Sequence, residues 1–598
     1  MFLNPWLLTD FYKLTHILQY RPELRELTSY LTPRGSRLKG VDKVVFFGLS
    51  AYVHSYVVKN FNDNFFNCPW DEIAVDIADV LKNGLGYSGH MITKTLINLH
   101  TLHDLGYLPV EINAVPEGTL VPMGVPCVEI KSTNPQFFWV GQALEASLSA
   151  AIWHPMVSAT IAREYRKIAR GAFSATVENG IDERTAMCDF SMRGQESNES
   201  AVNASVAWLT SMWNSSTVAA RKHIQNVYGK CEGNVRGLTS TEHSVMTSHA
   251  CLDKGDEIPT FKYLFELYKN VSFAAVSDSY DFWNVLTNIL PNNFMEEINE
   301  RGKRGVFIGV RHDSAEPVDA LCGTVPILHA DSVKRIPKEM LEDGTKFECM
   351  TLMFTEEEAN NLWEQGFREG NLVAVLCDGE EYLVRIRAVE HLHGIDETVD
   401  KDCPTMWASG VLQNRSRTWE EKGMVETMYE LFGGNVNSKG FKVLNPGIKA
   451  VYGDSITITR AKKIYKRLAI KGFAANNVSL GVGSFSFQAL ENEDGTLSPF
   501  TRDTFSICVK CSHSKYYDEN GEIQEKFVYK DPKSWSSKKS TRGLCQIYFD
   551  EKGELIYKDE KYEKDLIGKN SALIPYFKDG KEYKQNFEEV RRTIDENL

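Results

Sequence analysis

The chain has 598 residues, 42% of them hydrophobic and 25% charged, with a formal net charge of −13. That is enough apolar material for two or three domains, and the acidic balance excludes a nucleic-acid binder working through a broadly basic surface. No apolar run approaches the length of a membrane span, MFLNPWLLTDFYK has no basic leader before Asp10, and the 12 cysteines follow no framework spacing, so a cytoplasmic protein with reduced thiols and no membrane partner is expected.

In chain order, LTDFYKLTHILQY reads as a short amphipathic helix with Leu14, Ile17 and Leu18 on one face and Thr9 or Asp10 at its N-cap. SYLTPRGSRLKG follows, a loop with Arg34, Arg37 and Lys39 around two glycines. Residues 41–104 read as mostly helical. Residues 108–130 carry short alternating runs with Pro and Gly, the pattern of strands in a small β-rich subdomain, and 139–176 have the spacing of core helices.

From residue 186 a layout recurs: a short apolar run, a polar tip, then a pattern that can start a helix. AMCDFSMRG ends in Asp189, Phe190 and Arg193, an aromatic beside a cation that can stack and steer a flat ring. TSTEHS places Glu242 and His243 where another strand should end. SFAAVSDSYDFW ends in Asp278. VFIGVRHDSAEP, a strand over Val306–Val310, delivers Arg311, His312 and Asp313. IKAVYGDSITIT ends in Gly453 and Asp454, and NVSLGVGSFSFQ in a glycine turn. Repeated units of this kind predict parallel β/α architecture with the polar tips on the carboxyl edge of the sheet.

Asp278 and Asp313 are 35 residues apart, a normal repeat length, whereas Asp313 and Asp454 are 141 apart. The excess, about 331–421, reads as an α+β insertion: a strand in 346–354, a capping box from Thr355 to Glu358, and a hairpin about Asp378-Gly379. Its His391, His393, Cys377 and Cys403 fit no zinc spacing, and neither does the lone pair Cys508 and Cys511. Basic residues return in PFTRDTFSICVKCSHS, with Arg502 and Lys510, and in KDPKSWSSKKSTRG, with Lys530, Lys533, Lys538, Lys539 and Arg542. Glycine turns cradle phosphate, and carboxylates beside such a turn serve a sugar hydroxyl, Mg²⁺ or a cationic sugar transition state. The combination predicts chemistry on a phosphorylated sugar.

TDFYKLTH, AVPEGTLVPMG, DFSMRG, STVA, TEHS, VSDSYD, VRHDS, VYGDS, TRD and VKCS, running on into the KDP segment, stand in this order along the chain. In this set the sequence resembles the nicotinamide phosphoribosyltransferases, type II phosphoribosyltransferases of NAD salvage. The resemblance implies an α/β fold: an incomplete (β/α) barrel with a β-rich second domain and an extra α+β insertion. Its parts would be 1–145 (N-terminal portion of the β-rich domain), 146–322 and 422–495 (barrel), 323–421 (insertion) and 496–598 (return to the β-rich domain). It implies a homodimer with two active sites at the interface. There a pyridine base would displace pyrophosphate from phosphoribosyl pyrophosphate (PRPP), with Mg²⁺ required and ATP as an activating co-substrate.

By the same resemblance, Phe190 and a second copy's Tyr12 would sandwich the ring, and Arg193 and Asp10 would position its carboxamide or carboxylate. Asp278, Arg311 and Asp313 would line the ribose and pyrophosphate region, with Asp313 a candidate Mg²⁺ ligand. Gly453, Asp454, Gly481, Gly483 and Ser484 would hold the ribose and 5′-phosphate. Arg34, Arg502, Lys510 and Lys538 would be phosphate cations, and His243 the residue phosphorylated from ATP.

Three features depart from the family pattern. Ser216 stands where nicotinamide enzymes carry an Asp that accepts from the carboxamide N–H₂ and repels a carboxylate, which opens nicotinate as the alternative base. The glycine run is reduced to Gly481-Val-Gly483-Ser484-Phe485, and Cys508 replaces a Ser of the phosphate region. The insertion has no counterpart in the family pattern. A catalytically idle nucleotide sensor or scaffold on the same fold is the alternative of a different class.

Overall fold

A computed structural model describes residues 3–230, 235–329, 334–336, 351–353, 356–364, 367–377, 380–392, 405–413, 415–492, 496–530 and 541–598. The chain is α/β and divides into two compact units, the first comprising Met1–Lys167, Asp189–Gly237 and Gly483–Leu598, the second Ile168–Cys188 and Leu238–Val482.

The first unit is built on a seven-stranded sheet drawn from both ends of the chain. Its order is Ile523–Phe527, Ile507–Tyr517, Leu24–Pro33, Val128–Ser132, Val110–Ala114, Ile574–Lys578 and Lys581–Glu582. Val110–Ala114 and Val128–Ser132 alternate buried with half-buried residues, so one face is committed to the core. The pairing of Leu24–Pro33 with Ile507–Tyr517 is antiparallel, which puts Arg34, just past one strand's end, beside the start of the other. Helices Leu49–Tyr52, Trp70–Asp79 and Gly89–Leu105, with π-helical turns between them, fill most of the stretch that reads as helical. The first helix is Phe11–Gln19; Asp10 occupies its N-cap position without a side-chain capping bond.

The second unit holds a parallel, barrel-type sheet in the order Met187–Asp189, Val478–Val482, Ile448–Tyr452, Ile308–His312 and Phe273–Val276. These strands are buried almost throughout, so they read in sequence as apolar runs rather than alternation. Three sequence-based expectations need correction. The VFIG strand is not Val306–Val310 but Ile308–His312: Arg311 pairs with Val451 and Val276, and His312 with Tyr452, so pairing on both sides at Arg311 and on one side at His312 carries the strand two residues past its apolar run. Gly481 lies inside the strand Val478–Val482 rather than in a turn. Ahead of His243 the described residues hold isolated bridges, Arg236 to Asn214 and Ser240 to Ala274, rather than a strand.

Within this unit the insertion forms its own six-stranded sheet, ordered Ile327–His329, Leu372–Cys377, Glu380–Leu392, Thr405–Leu412, Thr351–Met353 and Lys334–Ile336. Helix Glu356–Glu364 packs Ala359 and Leu362 onto Val373, Val375, Val384 and Ile386. Cys377 pairs with Glu380 across the expected hairpin. The turn residues Asp378 and Gly379, Thr355 of the capping box, His393 and Cys403 lie outside the described residues.

The chain leaves the barrel at Gly323 and returns at Gly423, at φ of +87° and +83°. A Cβ on Gly423 would strike the Gly323 N and the Cys322 carbonyl carbon, so the two passes touch backbone to backbone. Thr324 and Val325 N–H donate to the Glu420 and Glu421 carbonyls at 3.2 and 3.3 Å. The buried Lys471 ammonium donates to the Cys322 and Lys422 carbonyls at 2.7 and 2.6 Å, and pairs with Glu426 at 2.6 Å. Arg417, its side chain 1% exposed, bonds both Glu426 of the barrel helix Met424–Phe432 and Glu381 of the inserted sheet.

Gly423→Ala meets both a left-handed backbone and a backbone wall, and is expected to cost about 2 kcal/mol or more. Thermal unfolding checks it; an unchanged midpoint would show that the crossing has room for a side chain.

Candidate active site

The carboxyl edge of the parallel sheet in the second unit gathers one ionic cluster. Arg311 grips Asp313 with two bonds, Nε to Oδ1 at 2.8 Å and Nη2 to Oδ2 at 2.5 Å. Its remaining arm donates to the Ser240 hydroxyl and the Thr241 carbonyl at 3.1 and 3.2 Å. The Arg311 end of this fork–fork pair is fixed by strand pairing on both sides, and the Asp313 end by its N–H bond to Asp278. Gly453 lies against it: a Cβ there would collide with Asp313 Oδ1 and Arg311 Nε. A Cβ on Gly481 would in turn stand 2.5 Å from the Gly453 carbonyl oxygen. Both glycines are therefore required by close packing at the strand ends, and neither has a positive φ.

Asp278 caps the next loop, its Oδ2 accepting from Asp313 and Ser314 N–H at 2.9 and 2.7 Å. Its Oδ1 is buried without a hydrogen bond among the described residues. Burial alone would raise this carboxyl, but the Ser314 hydroxyl, the two N–H groups and the neighbouring His312 hold it below the usual range. His312 is itself lowered by burial, against the pull of Asp278 and Asp313. His243 opens helix His243–Leu252, half-exposed; its Nδ1 is 3.1 Å from Ser279 Oγ, and its Nε2 is 3.8 and 3.9 Å from Asp278 and Asp313. Asp454 is exposed just past the strand, and Ser455 beside it adopts a φ of +54°, as Ala315 after Ser314 adopts +80°. Non-glycine residues held in this region mark strain at the strand tips.

In the first unit, three of the expected phosphate cations converge. Arg34, Lys510 and Arg502 are close enough to pull down the Cys508 thiol, which burial pushes up. Lys510 pairs with Glu145 at 3.3 Å, and Lys13 pairs with the same carboxylate at 2.5 Å, which ties the first helix to the cation group. Burial would raise Glu145; the two lysines hold it low. Asp10 and Tyr12 are exposed at the start of that helix, and the Asp10 carboxylate keeps the Tyr12 phenol above its usual range. Lys538 lies outside the described residues.

Also in this unit, Phe190 is half-buried and Arg193 exposed, with no hydrogen bond or ion pair at Arg193 among the described residues. Ser216 is exposed, its N–H donating to the Asp189 carbonyl at 2.8 Å. Ser484 follows Gly483, and Gly194 packs onto it so closely that a Cβ on Gly194 would overlap the Ser484 side chain. Gln488 amide donates to the Gly194 carbonyl at 2.6 Å. Sequence reading singled out neither Gly194 nor Glu145; the only signal for Gly194 is its place two residues before Glu196 in a Gly-bearing tip, and for Glu145 there is none.

The profile of the nicotinate phosphoribosyltransferase (NAPRTase) family matches residues 185–347 and 403–566, more than half of the chain. The N-terminal domain profile of nicotinamide phosphoribosyltransferase matches residues 4–64. A nicotinamide phosphoribosyltransferase of Acinetobacter baylyi is 28% identical over 611 residues, spanning 100% of this chain and 98% of that protein. One of Mycoplasma pneumoniae is 26% identical, over 82% of this chain and 87% of that protein. Among solved structures, nicotinate-nucleotide pyrophosphorylase from Pyrococcus furiosus aligns at 12% identity and a TM-score of 0.46, covering 99% of this chain and 95% of that one. The profile matches define a pentosyl-transferring enzyme. The chain belongs to the nicotinate phosphoribosyltransferase family, the phosphoribosyltransferases of NAD salvage.

Two predictions follow from the second unit's cluster. Gly453→Ala pushes the Arg311–Asp313 pair aside, and turnover is expected to fall about 100-fold with the fold retained; wild-type turnover would sink the packing argument. Asp278, depressed in the folded state, stabilises above the ordinary carboxylate range and loses that contribution as pH falls through its folded value. Asp278→Asn is expected to lower stability at pH 7 and flatten the acid limb of stability against pH, followed by denaturant titration; an acid limb like that of the wild type would show that Asp278 is not its source.

Proposed function

We propose that the enzyme transfers the phosphoribosyl group of PRPP to nicotinamide, releasing pyrophosphate and forming nicotinamide mononucleotide. The observation that carries this reading is the cluster of Asp278, Asp313, Arg311 and His243 at the carboxyl edge of the parallel sheet, bounded by Gly453. The ring nitrogen attacks the anomeric carbon as the bond to pyrophosphate breaks. Charge develops on the sugar ring, and the Asp278 and Asp313 carboxylates favour it, while arginine and lysine receive the leaving group. Gly453, Asp454, Gly481, Gly483 and Ser484 serve the ribose and its 5′-phosphate; Arg34, Arg502, Lys510 and Lys538 serve the phosphates. Phe190 stacks on the pyridine, with Tyr12 of a second copy opposite, and Arg193 and Asp10 address its substituent.

Mg²⁺ fits the residues present: the Asp278 Oδ1, buried and without a hydrogen-bond partner among the described residues, is an oxygen that a hydrated cation would satisfy. Asp313 and the substrate's own pyrophosphate oxygens would hold it, and it would neutralise the leaving charge. No group of three His, Cys, Asp or Glu side chains among the described residues is placed to bind a metal alone. His243, half-exposed on a helix N-terminus, suits phosphorylation from ATP as an activating step.

Nicotinate is the second reading, favoured by the exposed Ser216 in place of an amide-accepting Asp. A product assay separates the two. Purified protein with PRPP, Mg²⁺ and ATP, offered both bases separately and in competition, is expected to yield nicotinamide mononucleotide preferentially, identified by mass. Preference for nicotinate mononucleotide would assign selectivity to Ser216, with Ser216→Asp expected to reverse it; no pyrophosphate from either base would overturn the enzymatic reading. His243→Ala is expected to abolish any stimulation by ATP.

A further inference from the structure

The strand tip that carries Phe190 and Arg193 is held by a residue with no part in the roles above. Asp189 is fully buried at the end of the strand Met187–Asp189. Its Oδ1 accepts from the Ser191 N–H at 2.8 Å, folding the chain back around Phe190. Its Oδ2 accepts from the Ser205 and Ser215 hydroxyls at 2.6 and 2.7 Å. The backbone carbonyl of the same residue accepts from Ser216 N–H at 2.8 Å. Ser215 Oγ in turn accepts from Thr217 N–H at 3.1 Å, and Thr217 Oγ1 lies 2.8 Å from Ser205 Oγ. Ser216 therefore sits between two residues that are both wired to one carboxylate, and Phe190 sits in a turn closed by that carboxylate's other oxygen.

We infer that Asp189 is a positioning residue for the pyridine base, fixing the segment of Phe190 and Arg193 against the segment of Ser216. This rests on the reading of those residues as the ring site. The chemistry makes the carboxylate specific for the task. Oδ2 accepts from two O–H groups and Oδ1 from an N–H, so each oxygen faces donors. An asparagine must turn its N–H₂ toward one set of donors, so it can keep either the Ser191 turn or the Ser205–Ser215 pair, and not both. Phe190 and Ser216 then lose their common reference, while Arg34, Arg502 and Lys510, which sit on other strands and turns of the same unit, keep theirs.

The test is Asp189→Asn in the full chain, read as steady-state kinetics with each substrate varied in turn. The Michaelis constant for the base is expected to rise about 10-fold or more while that for PRPP stays within about 2-fold, and the ratio of nicotinamide to nicotinate turnover is expected to shift. A folded variant with a base constant like that of the wild type, or with both constants raised in proportion, would overturn the inference. Should Asp189→Asn not fold, Ser215→Ala removes one donor from Oδ2 and the acceptor of Thr217 N–H. It is expected to raise the base constant about 3-fold with PRPP unmoved, and no change there would be equally decisive against it. Calorimetry of nicotinamide and nicotinate with wild type and Phe190→Ala separates the two levels. Base binding lost in Phe190→Ala supports the ring site; a wild type that neither binds nor converts a base overturns that reading together with this one.

Discussion

The bidentate bond between Arg311 and Asp313 is the constraint around which the second unit is arranged. It places opposite charges at a sheet edge where only a residue without a side chain can pass on the neighbouring strand, and Gly453 is that residue. Its carbonyl in turn dictates a glycine at 481 on the strand beyond. Three adjacent parallel strands thus owe residue choices to one ion pair. The pair is strong because it is partly desolvated and its Arg311 end is held by ladder bonds on both sides, so little side-chain freedom remains to be lost when it forms.

His243 and Asp278 extend the same arrangement. Asp278 holds the backbone that follows Arg311 and His312 through two N–H bonds, so the loop after the strand is shaped by a carboxylate from the neighbouring strand. The imidazole of His243 faces that carboxylate and Asp313 together. A change of charge on that ring, such as the proposed phosphorylation would bring, would alter the field on both carboxylates at once.

Much of this was legible in the sequence, for reasons that differ by element. Parallel strands buried on both faces must be short apolar runs, and their carboxyl tips must be polar, so Asp189, Asp278, Asp313 and Asp454 stood out without an alignment. Strand limits were less legible: the ladder takes in Arg311 through partners on both sides and His312 through Tyr452 on one, and nothing in the local composition records that. Asp189 was seen as a tip but not as a hub, since Ser205 and Ser215 reach it through folding and their spacing has no signature. The convergence of Arg34 with Arg502 and Lys510 comes from an antiparallel pairing that joins the two ends of the chain, a non-local fact that no window of sequence contains.

The paired glycines at 323 and 423 bear on how the molecule reaches its fold. Strand Ile448–Tyr452 must find Ile308–His312 across the whole insertion, a separation that would slow a chain searching as an open coil. The insertion has its own sheet and core and its two ends meet backbone to backbone, so if it folds first it would draw the flanking segments together. The search would then run over the few dozen residues outside it, and the entropy of closing the long loop would be largely spent before barrel assembly. In kinetic terms such an insertion would shorten the effective contact order of the barrel that carries it.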